Sequence, residues 1–544
     1  MDNKTTINTK YILLTLLAGF IYRLLISLQG IDHVDLGYSN TFYQNIFTHP
    51  EALPYSFNYY LTGLVGGTWH HLFGATGLLG FRFLEALTVT AAVFFVYKAL
   101  ERYLFNTHSA VLAIVMSFLF PSVVTTFHYF TLTFFFLSLA AWCYSKSLYT
   151  RPLLWTYLTG LVLGLCFFVR TGNTALVVLI FVPVVYALAT KQRPLAIRLG
   201  SIMLGGMFSA CIIMVCVMAC LGHLSLFWHG LEQAFAYYSS GETSYSFFNM
   251  LFVYFKDYIN IILQLLAIIG LGALYIQSSR MENTGGNILR IFIIVASLVL
   301  IATSKPYLSA ISLYTLACAP IFYAITPKED KLIAAFIILG TYVFPFGNNI
   351  GIASLYHWAG ALLIIPAVVG VYHASHILRR GVLICSIYIA AILIWKTFSA
   401  PYGETESRWE CTQQIGGNVL NTFTTADKAE NYRHIIGSIQ EQTKDNNLLV
   451  IGNQASELYY ATETLPFLGS TLLDTYKGAE FTAQLDRQVQ KYQKKPVVVI
   501  LKPDYYFSDE LVEVHIILDM WMTANGYDVV QDDEYLSIFK AKEL

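Results

Sequence analysis

Apolar runs of roughly 18 residues or more recur through residues 1–401, and no other feature limits the fold so severely. Hydrocarbon offers no partner to a backbone N–H or C=O, so each run must satisfy its own backbone as a helix. Thirteen candidate spans follow, at about 11–29, 79–97, 109–126, 131–148, 154–170, 174–190, 199–221, 258–277, 288–303, 307–325, 332–346, 356–373 and 382–399. Only 12% of the 544 residues are charged, about half the share in a soluble domain, which supports a polytopic membrane protein.

The net charge of −1 hides a split. Residues 402–544 hold 12 Lys and Arg against 22 Asp and Glu, whereas residues 1–401 hold 21 against 12. A basic membrane domain (1–401) therefore precedes an acidic tail domain (402–544). With the N-terminus inside, fifteen bases of the membrane domain fall in inner connections and six lie in spans or outside. This positive-inside pattern places the N-terminus in the cytoplasm of a cell-membrane protein. An odd number of spans then puts the tail outside, together with the first loop (30–78), the 223–257 loop and the 345–356 segment. The tail alternates patterns: LLVIG (448–452) and VVVIL (497–501) predict buried strands, while 427–443, 476–495 and 509–524 predict helices. YDVV and YLSIF predict a terminal hairpin, and the tail reads as a small α/β domain. It lacks a GxGxxG motif or P-loop, so nothing points to nucleotide or nucleic acid. Seven of eight cysteines lie in apolar spans and only Cys411 is in the tail, so the tail holds no disulfide of its own.

The first outer loop begins GIDHVDLGYSNTFYQ and carries Asp32, His33, Asp35 and Glu51 without a Lys or Arg up to Asn58. Tyr38, Phe42 and Ile46 recur at i, i+4 and i+8, which predicts a helix lying on the membrane surface. Segment 59–73 is too short to span but keeps a helical period, and predicts a second surface helix. An ionisable residue in or beside a span is costly and marks function by default. Arg82 and Glu85 stand i, i+3 near the outer end of the second span, where mutual pairing is the plain alternative. Arg170, in FFVRTGNTAL, lies where two spans meet outside, with Gly172 and Asn173 making the turn. Lys305 lies at another outer turn, and Asn348 and Asn349 offer neutral hydrogen-bonding groups at that level. The aromatic 223–257 loop suits an interfacial belt, or a lid over a lipid-linked ligand.

One outer face thus gathers a carboxylate, scattered cations and amphipathic flanks. A polyprenyl-phosphate sugar needs such a site: cations neutralise the departing phosphate, and a carboxylate accepts the proton of the attacking hydroxyl. Asp35 is the candidate base with Asp32 beside it, and Arg170, Lys305, Arg82, Tyr38, Asn348 and Asn349 are candidate substrate contacts. No cofactor is required. A divalent metal is compatible with the chemistry, but no His or acidic spacing indicates one.

These features, in this order, resemble the GT-C membrane glycosyltransferases, the group that includes protein mannosyltransferases and lipid A aminoarabinose transferases. The resemblance rests on Arg23 leading into VDLGY, on the span opening LGFRFLEAL after two surface helices, on GLVLGLCFFVRTGNTALVVLIFVP, and on the outer soluble tail. It covers residues 1–200 best. It implies transfer from a polyprenyl-phosphate sugar to a lipid, glycan or protein acceptor outside the membrane, with Asp35 at the position of the loop acid and Arg170 at that of the basic residue between spans. Many members carry two adjacent acids in the loop. Here Leu36 follows Asp35, and Asp32 stands three residues earlier. Two other readings remain. A transporter or flippase for lipid-linked sugars would show inverted repeats and broken mid-membrane helices, and a non-catalytic envelope assembly protein would keep the fold without the acid pair.

Overall fold

A computed structural model describes residues 8–32, 34–101, 107–119, 126–239, 248–253, 284–303, 328–346, 397–416, 420–473, 478–502 and 512–542, with single residues between them. The chain is mainly helical with a C-terminal sheet region. In order, the membrane half contains α1 (Thr9–Ile26), α2 (Asp35–Asn45), α3 (Tyr60–Phe73), α4 (Gly77–Leu100), α5 (Thr107–Leu119), α6 (Tyr129–Ser147), α7 (Pro152–Val169), α8 (Phe181–Ala189), α9 (Arg193–Leu221), α10 (Leu224–Ser239), α11 (Thr284–Thr303) and α12 (Lys331–Val343). Among the described residues, five helical stretches are long and apolar enough to cross a membrane. The expected spans 307–325, 356–373 and 382–399, and most of 258–277, fall largely outside the described residues.

The helices show why they need lipid. On α1, Leu13, Leu17, Ile21 and Leu25 form an exposed i, i+4 stripe, while Ile12, Leu16, Gly19 and Arg23 face inward. Gly19 leaves room for the Phe118 ring of α5, which a Cβ would meet at 2.3 Å. On α7, Gly160 and Gly164 let the backbone of α9 approach at Met203 and Met207, and Gly206 of α9 packs on Tyr157. Small residues at the contact are how membrane helices gain dispersion energy without a hydrophobic drive.

The tail contains β1 (Gln413–Gly416), β2 (Leu420–Thr424), α13 (Ala426–Gln442), β3 (Leu448–Ile451), α14 (Glu457–Thr462), β4 (Leu465–Pro466), α15 (Gly478–Tyr492), β5 (Val497–Leu501), α16 (Val512–Ala524), β6 (Tyr527–Asp532) and β7 (Leu536–Ala541). The sheet order is β4-β3-β5-β7-β6. β3 runs parallel to β4 and β5, whereas β7 is antiparallel to β5 and to β6. The two strands, three helices and terminal hairpin expected in the tail all form.

Two features differ from expectation. Helix α2 does not lie open on a membrane surface: residues from Leu36 to Tyr43 are buried on every side, including Ser39, Asn40 and Thr41. The tail covers the polar face. Gly37 sits so close to the start of α14 that a Cβ would lie 2.0 Å from the Glu457 nitrogen. The other is a backbone junction. Residues 28–30 pair alongside β2, with Gly30 N–H donating to Phe423 O at 2.9 Å and Phe423 N–H to Leu28 O at 3.1 Å. The linker into the tail crosses the same stretch: Gly30 and Gly403, both at positive φ, face Tyr402 O and Ile31 O at distances no side chain would fit. One apolar core runs across the boundary, from Phe42, Phe57 and Phe81 to Tyr460, Leu449 and Val499. The tail and the first loop therefore stand on one side of the membrane. Gly37→Ala should separate them, because its Cβ meets backbone rather than a pliable side chain. A cost of about 1–3 kcal/mol is expected, read as a lower Tm and faster proteolysis near residue 403. A variant that melts and cleaves like the parent would refute the tight docking.

Candidate functional site

The site begins with the charges that the fold buries. Arg23 of α1 donates to Glu85 of α4 at 2.5 Å, and both side chains are fully buried. Glu85 therefore pairs across helices, and not with Arg82 on its own helix. Arg82 turns the other way. It donates to the carbonyls of Ser27 and Gly30 and, at 2.7 Å, to Thr422 Oγ1 of β2. The sequence reading made Arg82 a phosphate contact. The structure makes it an anchor, 1% exposed, with its terminal nitrogens spent on the end of α1 and on the tail. Nearby, Arg408 donates to Ile26 O and Gln29 Oε1, each at 3.0 Å, and Gln29 donates back to Arg408 O and Cys411 O.

This frame presents the first loop. Asp32 Oδ1 accepts the N–H groups of Val34 at 2.8 Å and Asp35 at 3.0 Å. It fixes the turn that starts α2, of which Asp35 is the first residue. Asp35 itself is exposed, whereas the residues that follow it on α2, Leu36 to Tyr43, are buried. Its carboxyl is pushed up to about 7, first by desolvation and then by the Asp32 carboxylate.

From Asp35 an aromatic path leads to the second candidate. One turn on, Tyr38 packs edge-on against Tyr59 with centroids 6.0 Å apart, and Tyr59 stacks on Tyr129 at 4.6 Å. The Arg170 guanidinium lies 5.7 Å from the Tyr129 centroid and 5.1 Å from that of Phe130. Arg170 ends α7 in extended backbone, and Asn173 closes the turn by donating to Cys166 O at 2.9 Å and Thr133 Oγ1 at 2.8 Å. The guanidinium folds over Gly172 and donates to Phe346 O at 3.1 Å. His128, beside it, is buried and pushed down to about 3, chiefly by desolvation and less by the Arg170 charge.

The structure thus brings Asp32, Asp35, Tyr38 and Arg170 to the side where the tail docks. Lys305, Asn348, Asn349 and His33 lie outside the described residues. Among the described residues no cluster of three His, Cys, Asp or Glu could hold a metal. Sequence reasoning missed the Arg23–Glu85 pair and the Thr422 contact, since 62 and 340 residues separate the partners and neither pairing leaves a local signal. Tyr59 and Tyr129 carried no mark beyond being aromatic in an aromatic-rich chain.

No family model matches the chain, and no curated protein matches its sequence. Its structure is similar to two crystal structures of the Archaeoglobus fulgidus oligosaccharyltransferase. One is tethered by a disulfide to an acceptor peptide containing the NVT sequon, with 12% identity, a TM-score of 0.48, and 89% of this chain and 68% of that chain covered. The other is the apo form, with 12% identity, a TM-score of 0.46, and 89% and 69% covered. It is also similar to ArnT from Cupriavidus metallidurans bound to undecaprenyl phosphate, with 13% identity, a TM-score of 0.43 and 98% of each chain covered.

The buried pair gives a test of the frame. Removing one partner strands a charge, so Glu85→Ala should cost about 3–5 kcal/mol, whereas Arg23→Met with Glu85→Leu should fold close to the parent. Thermal unfolding in detergent separates the two outcomes. Equal losses in both variants would show that the pair itself, and not the stranded charge, sets the stability.

Proposed function

We propose that the chain is a GT-C-type membrane glycosyltransferase that moves a sugar from a polyprenyl-phosphate donor to a lipid, glycan or protein acceptor on the outer face of the membrane. The observation that carries this reading is Asp35: accessible, fixed at a helix start, and tuned toward neutral pH. A general base works best with a pKa near the working pH, because it is then ionised yet still basic. Asp35 takes the proton of the acceptor hydroxyl as that oxygen bonds to the sugar's anomeric carbon and the polyprenyl phosphate departs. Arg170 stabilises the phosphate as its charge develops. Asp32 holds the turn that aims Asp35. Lys305, Asn348 and Asn349 stay candidates for the donor, and Tyr38 for the wall between base and phosphate. The N-terminus lies in the cytoplasm, the tail lies outside and helps to orient the acceptor, and the mechanism calls for no metal.

A transporter or flippase fits less well. It needs charges in mid-membrane to carry a polar cargo through. The charges that α1 and α4 carry near the tail side are locked into the Arg23–Glu85 pair and the Arg82 anchor. A non-catalytic assembly protein built on this fold would be indifferent to Asp35→Asn.

Two outcomes follow for activity. Asp35→Asn keeps the shape but cannot take a proton, and should lower turnover about 10²–10⁴-fold with donor binding intact. In the parent, kcat/KM should rise with pH through about 7, as Asp35 loses its proton. Asp32→Asn keeps the oxygen that accepts the two N–H groups but removes the charge, so that limb should move to lower pH while part of the shift, due to burial, stays. A parent profile flat from pH 5 to 8, or undiminished turnover in Asp35→Asn, would sink the proposed base. The donor side is separate. Arg170→Gln removes a charge-assisted contact worth about 1.5–3 kcal/mol, and should weaken binding of a polyprenyl-phosphate sugar about 10–100-fold. Unchanged binding would move the phosphate site away from Arg170.

A further inference from the structure

We propose that the end of the helix bundle remote from the tail carries a binding surface for anionic phospholipid headgroups, formed by Arg151, Lys191, Arg193 and Arg198. The register of α7 and α9 brings these residues to one level. Gly160 meets Met203, and Gly164 meets Met207 and Ala210, so the helices run parallel. Arg151, just before α7, then lies level with Arg193 and Arg198 on the first turns of α9. Lys191 belongs to the tight turn that delivers the chain into α9, with its N–H donating to Leu188 O at 2.9 Å. All four side chains are exposed.

Their charge is not neutralised. No Asp or Glu occurs between Glu101 and Glu232. Among the described residues none of the four makes an ion pair, whereas Lys98, farther back on α4, is paired with Glu101. Two of the four also occupy positions that disfavour a side chain: Arg151 has φ 40° and Lys191 φ 59°, in turns where glycine or asparagine would be the relaxed choice. Long cationic chains are held there against local preference. The flanks are apolar and exposed, with Leu154 on α7 and Ile197 on α9 at 46% and 70%. Cations above a greasy rim complement a phosphodiester headgroup above its acyl chains. A free anion would use the charge but not the rim. Each base near an anionic membrane surface contributes about 1 kcal/mol.

The test uses the full chain in neutral detergent and counts retained lipid by native mass spectrometry. Phosphatidylglycerol should be retained in preference to phosphatidylcholine with the same acyl chains. Arg151→Gln with Arg193→Gln should lower phosphatidylglycerol retention about 30-fold, the equivalent of about 2 kcal/mol at 1.4 kcal/mol per tenfold, and leave phosphatidylcholine unchanged. Arg151→Lys with Arg193→Lys should restore retention. Retention by the parent should also fall steeply when salt is raised to roughly 0.5 M, a reading that needs no variant to fold. Equal retention of the two lipids, salt-insensitive retention, or a Gln variant as competent as the parent would overturn the proposal. Displacement of the lipid by inorganic phosphate at equal concentration would overturn it too, by assigning the surface to a free anion.

Discussion

A buried guanidinium holds the two halves of this protein together. Arg82 stands in a membrane helix, but its donors point up and out, onto the carbonyls of Ser27 and Gly30 and the hydroxyl of Thr422. The Ser27 carbonyl caps α1 and has no helical partner, so an unmet need at a helix terminus is filled by a charge from α4, which also holds Gly30 in the stretch that pairs with β2. Thr422 in turn donates to Leu28 O at 2.9 Å, and the backbone of β2 pairs with the same stretch. Below, Arg23 and Glu85 fix α1 to α4. The position at which the first loop leaves the bundle is therefore set from three directions: by α1, by α4 and by the tail.

That arrangement explains why a loop carrying the candidate base can be rigid. Helix α2 is short and, with Ser39, Asn40 and Thr41 on it, would gain little from lying on lipid. Its order comes from being enclosed, with Phe42 and Tyr43 packed on α3 and α4 and Gly37 pressed on α14. Thr41 and Gln44 reach the backbone of Ser456 and Tyr460 at 3.5 Å. The tail thus encloses α2 from Gly37 onward, just past the residue that carries the candidate base.

How much of this was legible depends on range. Hydropathy located α1, α4, α7 and α9 because a membrane helix is a local solution to a backbone problem. Short β-branched runs located β3 and β5 for a similar reason: strands covered on both faces are apolar throughout. Asp35 and Arg170 stood out as charges at span ends. What could not be read was pairing across distance. The amphipathic period of Tyr38, Phe42 and Ile46 predicts a helix, which forms, but the tail and not the membrane covers it. Arg82 and Glu85 looked like partners because they are three residues apart. Helix α4 instead splits them between two neighbours, Glu85 to Arg23 and Arg82 to the junction.

The two loop acids look redundant in sequence, and the turn separates them. The start of a helix offers unsatisfied N–H groups and a favourable potential for an anion. Had Asp35 collected those bonds, its ionised form would be favoured and it would be a poor base near neutrality. Asp32 takes them: one of its oxygens accepts from both Val34 and Asp35. Its charge is thereby held in place, and from there it acts on Asp35, whose own N–H it has bound. Burial supplies the larger push and Asp32 the smaller, both in the same direction. Two carboxylates with different partners can divide one task. The division here is between an acid that builds the turn and an acid that the turn leaves free to accept a proton.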